Sequence, residues 1–197
     1  MMPETKQRTI ELTDPRALRA VAHPIRLELI GLLRRSGPMT ATQAATRIGE
    51  SPASCSFHLR QLAKYGLVEE AGGGRGRERP WRATAPLTSW SETSEDEDRA
   101  EATAMLARVV IERYFGQALG WLERRRSEPA EWAGIPAFGD RVLYLTPAEL
   151  EQLEERIDDL LDPFLERLED PSARPDAARP VNLIQLLFPL PREPEAD

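Results

Sequence analysis

Sulfur and imidazole are scarce in this chain, whose 197 residues include one cysteine, Cys55, and two histidines, His23 and His58. One thiol excludes an internal disulfide, and so few soft donors leave no ligand set of the kind zinc takes, so no metal site is expected. Long apolar runs are missing as well. No stretch of 18 apolar residues occurs and no apolar segment follows the first residues, so neither a spanning helix nor a secretory leader is expected. The cytoplasm is the expected compartment, with no membrane partner. Nothing resembles a nucleophile–base–acid order, a phosphate loop or a carboxylate pair in a pocket pattern. The chain does not read as an enzyme, and no cofactor is expected.

Positive charge is also short overall, with a formal net charge of −7. The deficit is not uniform. Residues 1–85 carry 14 Lys and Arg against 8 Asp and Glu, a balance of +6, whereas residues 86–197 carry 12 against 25, a balance of −13. A basic front joined to an acidic back suits a nucleic-acid-binding module attached to a module that does something else.

The front half is organised around residues 40–84. Residues 41–48 form a short amphipathic segment, Gly49-Glu50 turns the chain, and Ser51-Pro52 opens a second helix with serine as N-cap and proline at its first position. At 100° per residue, Cys55, Leu59 and Leu62 make one narrow buried stripe. Ala53, Phe57, Arg60 and Lys64 lie opposite, flanked by Ser54, Ser56 and Gln61. A short helix, a tight turn and a second helix with such an outer face predict a helix-turn-helix for the DNA major groove. Gly66-Leu67-Val68 then starts a strand, residues 71–80 (AGGGRGRERP) form a loop with Arg75, Arg77 and Arg79 at alternate positions, and residues 81–84 return as a second strand. Such a wing can hold phosphates or enter the minor groove. A plain solvated surface is the competing reading of both faces. Upstream, Asp14-Pro15 caps a helix over 15–22, His23-Pro24 interrupts it in a packing or capping role, and a second helix over 25–35 carries a stripe of Ile25, Leu29, Leu32 and Leu33. His58 falls between the buried and outer faces, either contacting DNA or satisfied within the fold.

Several of these features occur together in register: Ala22-His23-Pro24-Ile25-Arg26-Leu27, then Ser51 followed by Ser56-Phe57-His58-Leu59, then Leu62 followed by Gly66-Leu67-Val68. Over about residues 12–85 the chain resembles the winged helix-turn-helix of the ArsR-type bacterial regulators. That resemblance implies a homodimer, usually a repressor, reading a two-fold-related operator in double-stranded DNA, often released by a metal or small ligand. It also implies that Ser54, Ser56, Phe57, His58 and Arg60 face DNA, with Arg75, Arg77 and Arg79 on the wing; Lys64 joins them on the outer face. The paired cysteines that metal-sensing members carry before the recognition helix are replaced here by Ala41-Thr42-Gln43-Ala44-Ala45-Thr46. The chain therefore resembles a non-metal-sensing branch, which leaves room for an unidentified small-molecule effector. Cys55, on the buried stripe, serves as a small apolar residue.

Residues 86–98 are polar and acidic and read as a linker or helix entry rather than core. A long helix over 97–126 follows, with Leu106, Val109, Val110, Tyr114, Leu119 and Leu122 recurring at three- and four-residue steps and Ile111 and Phe115 widening the face. The stripe exceeds what one small domain needs, so it is expected to pair with its copy, against the reading that it folds back on its own chain. Residues 140–145 are expected as a strand, 146–168 as a helix opened by a capping box, and 181–188 as a second strand. Tyr114, Phe115, Trp121, Trp132 and Tyr144 either line an apolar pocket or are ordinary core.

The expected fold is mainly α with small β. A winged helix-turn-helix domain occupies 1–88, an acidic linker and dimerisation helix 89–126, and a strand-helix-strand appendage 127–197 available to an effector or partner. The alternative function is a winged-helix protein-interaction module that works through its acidic C-terminal half.

Overall fold

The computed structural model describes residues 9–74, 79–91, 94–135 and 138–191. Its elements are β1 (Thr9–Glu11), α1 (Pro15–Val21), α2 (Pro24–Ser36), α3 (Ala41–Ile48), α4 (Pro52–Ala63), β2 (Val68–Glu70), β3 (Trp81–Ala83), β4 (Leu87–Ser89), α5 (Glu97–Arg124), α6 (Ala130–Ala133) and α7 (Pro147–Glu169). Short 3₁₀ turns follow α5 and α7. The protein is mainly helical, and the described residues form two small two-stranded sheets.

Local chemistry accounts for the helix starts. The Asp14 carboxylate accepts from the Arg16 amide at 2.8 Å, and Pro15 opens α1. The His23 Nδ1 accepts from the Ile25 amide at 3.2 Å, so this histidine caps α2 ahead of Pro24. Thr40 and Gln43 close a reciprocal capping box on α3, and Ser51 caps α4 ahead of Pro52. Each cap satisfies amide donors that the first helical turn leaves without a partner. Gly49 ends α3 in the left-handed region at φ 75°, a conformation other L-residues adopt at a cost, and so sets the tight turn into α4.

The core gathers Leu18 of α1, Leu29 of α2, Leu59 and Leu62 of α4, Leu67 before β2 and Leu106 of α5, all fully buried. α3 packs chiefly on α4, and α1 packs on α5. Arg19 of α1 pairs with Asp98, and Arg113 of α5 pairs with Glu28 of α2 at 2.8 Å. The N-terminal body therefore extends past residue 88 to include the first turns of α5, where Ala102, Thr103 and Leu106 are buried.

Three expectations are corrected. Residues 86–98 are not wholly a linker: β4 pairs with β1 in parallel, Thr9 opposite Leu87 and Glu11 opposite Ser89, a contact between residues 78 apart in the chain that no local pattern announces. Residues 140–145 and 181–188 are apolar enough for strands but join no ladder, because neither pairs with another strand among the described residues. The strand-helix-strand appendage is therefore a helix, α7, flanked by two unpaired segments. Finally, α5 carries two apolar faces where one was expected. Ala102, Leu106, Val109 and Val110 turn to the body, and Ile111, Phe115, Leu119 and Leu122 turn away from it.

Candidate nucleic-acid interface

α4 is held from behind. Cys55, Leu59 and Leu62 are fully buried, and burial pushes the Cys55 thiol up from its ordinary value, the behaviour of an inert apolar side chain. In front, Ala53, Phe57, Arg60 and Lys64 are exposed, and Ser54, Ser56 and Gln61 are half-exposed. Phe57 is 48% exposed and is the sole exposed large hydrophobic among the described residues before Met105. The polar side chains brace one another along the helix. Arg60 Nη1 donates to Ser56 Oγ at 2.6 Å, and Lys64 Nζ donates to Gln61 Oε1 at 3.4 Å. The face is thus a preformed row of donors around one ring.

His58 is not in that row. It is 8% exposed, its ring lies 4.5 Å from that of His23, and its Nδ1 accepts from Arg26 Nε at 3.3 Å. Of the two readings left open for it, the satisfied imidazole is the one the fold adopts. The cause is its wheel position, next to Leu59 and facing the α2 N-terminus. Burial, followed by the charge of Arg26, lowers the His23 pKa; burial, then His23, then Arg26, lowers that of His58. The contact between the two rings and the Arg26 hydrogen bond tie α4 to the start of α2. Edge contact from Phe57 to the His58 ring, centroids 5.2 Å apart, fixes the exposed ring in turn.

The wing stands on a short ladder in which Val68 faces Ala83 and Glu70 faces Trp81. Trp81 is buried and bridges back to Met39 before α3, and Thr84 Oγ1 donates to the Gly66 carbonyl. Arg34 of α2 supports the base of the wing, Nε donating to Ala85 O at 3.0 Å and Nη2 to Thr88 Oγ1 at 2.6 Å. Burial pushes its pKa down to about 10. Arg79 is exposed and lies 3.9 Å from Glu70, so its guanidinium stays at the wing's foot. Arg75 and Arg77 lie outside the described residues.

Sequence reasoning missed three arginines. Arg26 and Arg34 buttress α4 and the wing, and exposed Arg47 ends α3 beside the turn. The signal for Arg47 was available, since a basic residue in a last helical turn next to a helix-turn-helix corner is placed for a phosphate. Nothing local marked the other two.

Among the described residues no group of three or more His, Cys, Asp or Glu side chains is placed to hold a metal ion. No helix is long and apolar enough to cross a membrane, again among the described residues. Residues 21–71, about a quarter of the chain, match a protein-family model described as a helix-turn-helix domain. That span runs from the end of α1 to the foot of the wing. Comparison with curated proteins gives no match. The N-terminal part is a helix-turn-helix domain, and the reading it supports is that of a DNA-binding regulator.

Proposed function

We propose that the chain is a cytoplasmic homodimeric repressor of the ArsR-like, non-metal-sensing kind, with α4 reading a half-site in the major groove. The observation that carries this is the outer face of α4, where Phe57, Arg60 and Lys64 project from a helix fixed on its other side by core and histidines. An exposed phenylalanine is costly unless its ring meets something apolar, and a thymine methyl in the major groove is such a group. Ser54 and Ser56 supply hydroxyls beside it, and the wing arginines Arg75, Arg77 and Arg79 supply phosphate or minor-groove contacts. The outer stripe of α5 supplies the dimer seam. Leu106 is withdrawn from the expected interface, and Val109 and Val110 are largely committed to the body, because the chain's own core uses that face. Ile111, Phe115, Leu119 and Leu122 take over, with half-buried Tyr114 at their edge. An unidentified small molecule is the natural effector.

The test is a gel shift of the full chain on DNA from upstream of its own gene, at two salt concentrations and with nonspecific competitor. A discrete competitor-resistant complex supports the proposal. Dimers that bind no DNA at low salt would instead support the interaction module working through the acidic half, whose exposed apolar surface favours a protein partner.

A further inference from the structure

Histidine is the side chain whose ordinary pKa makes it change charge between about pH 5 and 8, and this chain has two of them. Both stand in one cluster behind α4. His23 precedes α2, His58 lies on the inner side of α4, and their ring centroids are 4.5 Å apart. Each ring already uses its Nδ1 as an acceptor. His23 Nδ1 accepts from the Ile25 amide at 3.2 Å, and His58 Nδ1 accepts from Arg26 Nε at 3.3 Å. An imidazole nitrogen that accepts carries no hydrogen, so the neutral form of both rings keeps its proton on Nε2. A second proton must go onto Nδ1, where it meets a donor instead of an acceptor. On His58 the new N–H would point at the Arg26 guanidinium, whose Nη1 is itself held by the Ala20 carbonyl of α1. A positive charge on either ring also faces the other ring and Arg26.

The other groups around the rings come from four directions. α2 presents the Arg26 charge, and the turn between α3 and α4 presents the Glu50 carboxylate. α1 contributes the Ala20 carbonyl, and α4 itself the buried Cys55 thiol, which burial keeps protonated. Among the described residues no ionisable group of α3 or β2 acts on either ring. Glu50 favours protonation, but it is exposed and screened by solvent. Burial and Arg26 oppose protonation and prevail, so both histidines are held below their ordinary value.

The cluster reaches the outer face of α4 through Phe57. Its ring stands edge-on to that of His58, with planes 74° apart, and His58 is buried beside fully buried Leu59 and Leu62. A packed site of this kind leaves a side chain little room to turn. A protonated His58 that must leave Arg26 therefore swings outward or shifts α4 on its support. Either movement takes away the surface on which Phe57 rests.

We infer that His23, Arg26 and His58 form a proton-operated positioning device for α4, which holds Phe57 in place while both rings are neutral and lets sequence-specific DNA go on mild acidification. The inference rests on the DNA reading proposed above. The two histidines are positioning residues, acting through Phe57 and the helix rather than by touching DNA. The effect runs against bulk electrostatics. Acidification makes a chain of net charge −7 less negative and so strengthens its nonspecific hold on a polyanion.

The experiment measures the affinity of the full chain for the duplex from upstream of its own gene, and for a scrambled duplex of equal length, from about pH 7.5 to 5.5 at fixed ionic strength. In parallel, imidazole and amide NMR of the DNA-free protein follows both rings and residues 56–60. Affinity for the upstream duplex should fall about tenfold for each pH unit below the pKa of the rings, because the competent fraction falls by that factor. Affinity for the scrambled duplex should hold or rise, and the ring signals and the 56–60 amides should move with one midpoint. Rings that titrate while those amides stay still would overturn the inference. So would a preference for the upstream duplex that acid leaves constant or increases, with the DNA reading left standing. No preference at the higher pH would remove the DNA reading and the inference with it. His58→Gln keeps an acceptor for Arg26, His23→Asn keeps a cap for α2, and neither titrates. Each variant is compared with itself across the pH range, so a change in its starting affinity does not enter. In His58→Gln the acid loss should shrink to within about twofold; a loss equal to the parent's would overturn the inference. Should that variant fail to fold, His23→Asn decides in the same way, since its acid loss should be smaller than the parent's and an equal loss would overturn the inference.

Discussion

Leu106 and Leu119 both belong to the apolar periodicity of α5, and the structure assigns them opposite duties. Leu106 is fully buried in its own chain, whereas Leu119 is 60% exposed. Truncating a fully buried leucine to alanine costs about 3 kcal/mol, the transfer term plus the cavity left behind. For an N-terminal body of about 100 residues, that lowers the midpoint of thermal unfolding by roughly 12–24 °C. Leu119→Ala removes a side chain that its own chain covers by less than half, so within one protomer the loss stays under about 1 kcal/mol. In a two-fold dimer each truncation counts twice. Burying Leu119 at the seam for about 1–2 kcal/mol per copy then gives a dissociation constant roughly 30- to 1000-fold weaker. The assay pairs unfolding in dilute solution, where the variants are monomeric, with sedimentation across a concentration series. Leu106→Ala is expected to move the first and Leu119→Ala the second. The reverse pattern, or equal effects of both on either measurement, would refute the division of α5 into an inner and an outer face.

Three further outcomes follow from the outer face of α4 and the groups behind it. His23 and His58 have folded pKa values below the ordinary histidine value of about 6.5, so on acidification the unfolded chain takes up protons first. Their contribution to stability is complete above about pH 6.5 and lost as pH falls through the window beneath it; the urea midpoint of His58→Gln should fall less steeply there than the parent's, and superimposable pH profiles would count against the buried pair. Arg34→Met leaves the Ala85 carbonyl and Thr88 hydroxyl without their donor, which costs about 2–3 kcal/mol. Exchange of the amides around 86–90 should rise, and unchanged exchange would show that the wing base is held by other means. On DNA, Arg60→Ala is expected to relax sequence discrimination, and Arg79→Ala to lower affinity on every sequence and flatten its salt dependence; equal losses from both on all sequences would argue against separate base and backbone roles.

The sequence by itself determined where the helices of this protein begin, the length of the turn between α3 and α4, and the outward set Ala53, Phe57, Arg60 and Lys64. These depend on neighbours three or four positions away. Asp14-Pro15, Thr40 with Gln43, Ser51-Pro52 and Thr146 with Glu149 each satisfy amides of the helix they open. Only the tertiary structure decided which groups those elements turn toward one another. His58 sits at a wheel position that serves core or solvent equally, and contact with His23 and Arg26 resolved it inward. Arg34 reaches Ala85 and Thr88, 51 and 54 positions further along the chain, which no local pattern announces. β1 and β4 pair across most of the N-terminal body. Both faces of α5 are apolar in the sequence, and packing against α1 and α2 selected the inner one. Residues 141–145 and 181–188 have the apolar content of strands, but a strand exists only where another strand meets it, and none of the described residues pairs with them. Helix ends are local hydrogen-bond problems, whereas choosing a face or pairing a strand requires a surface from elsewhere in the chain or from another copy.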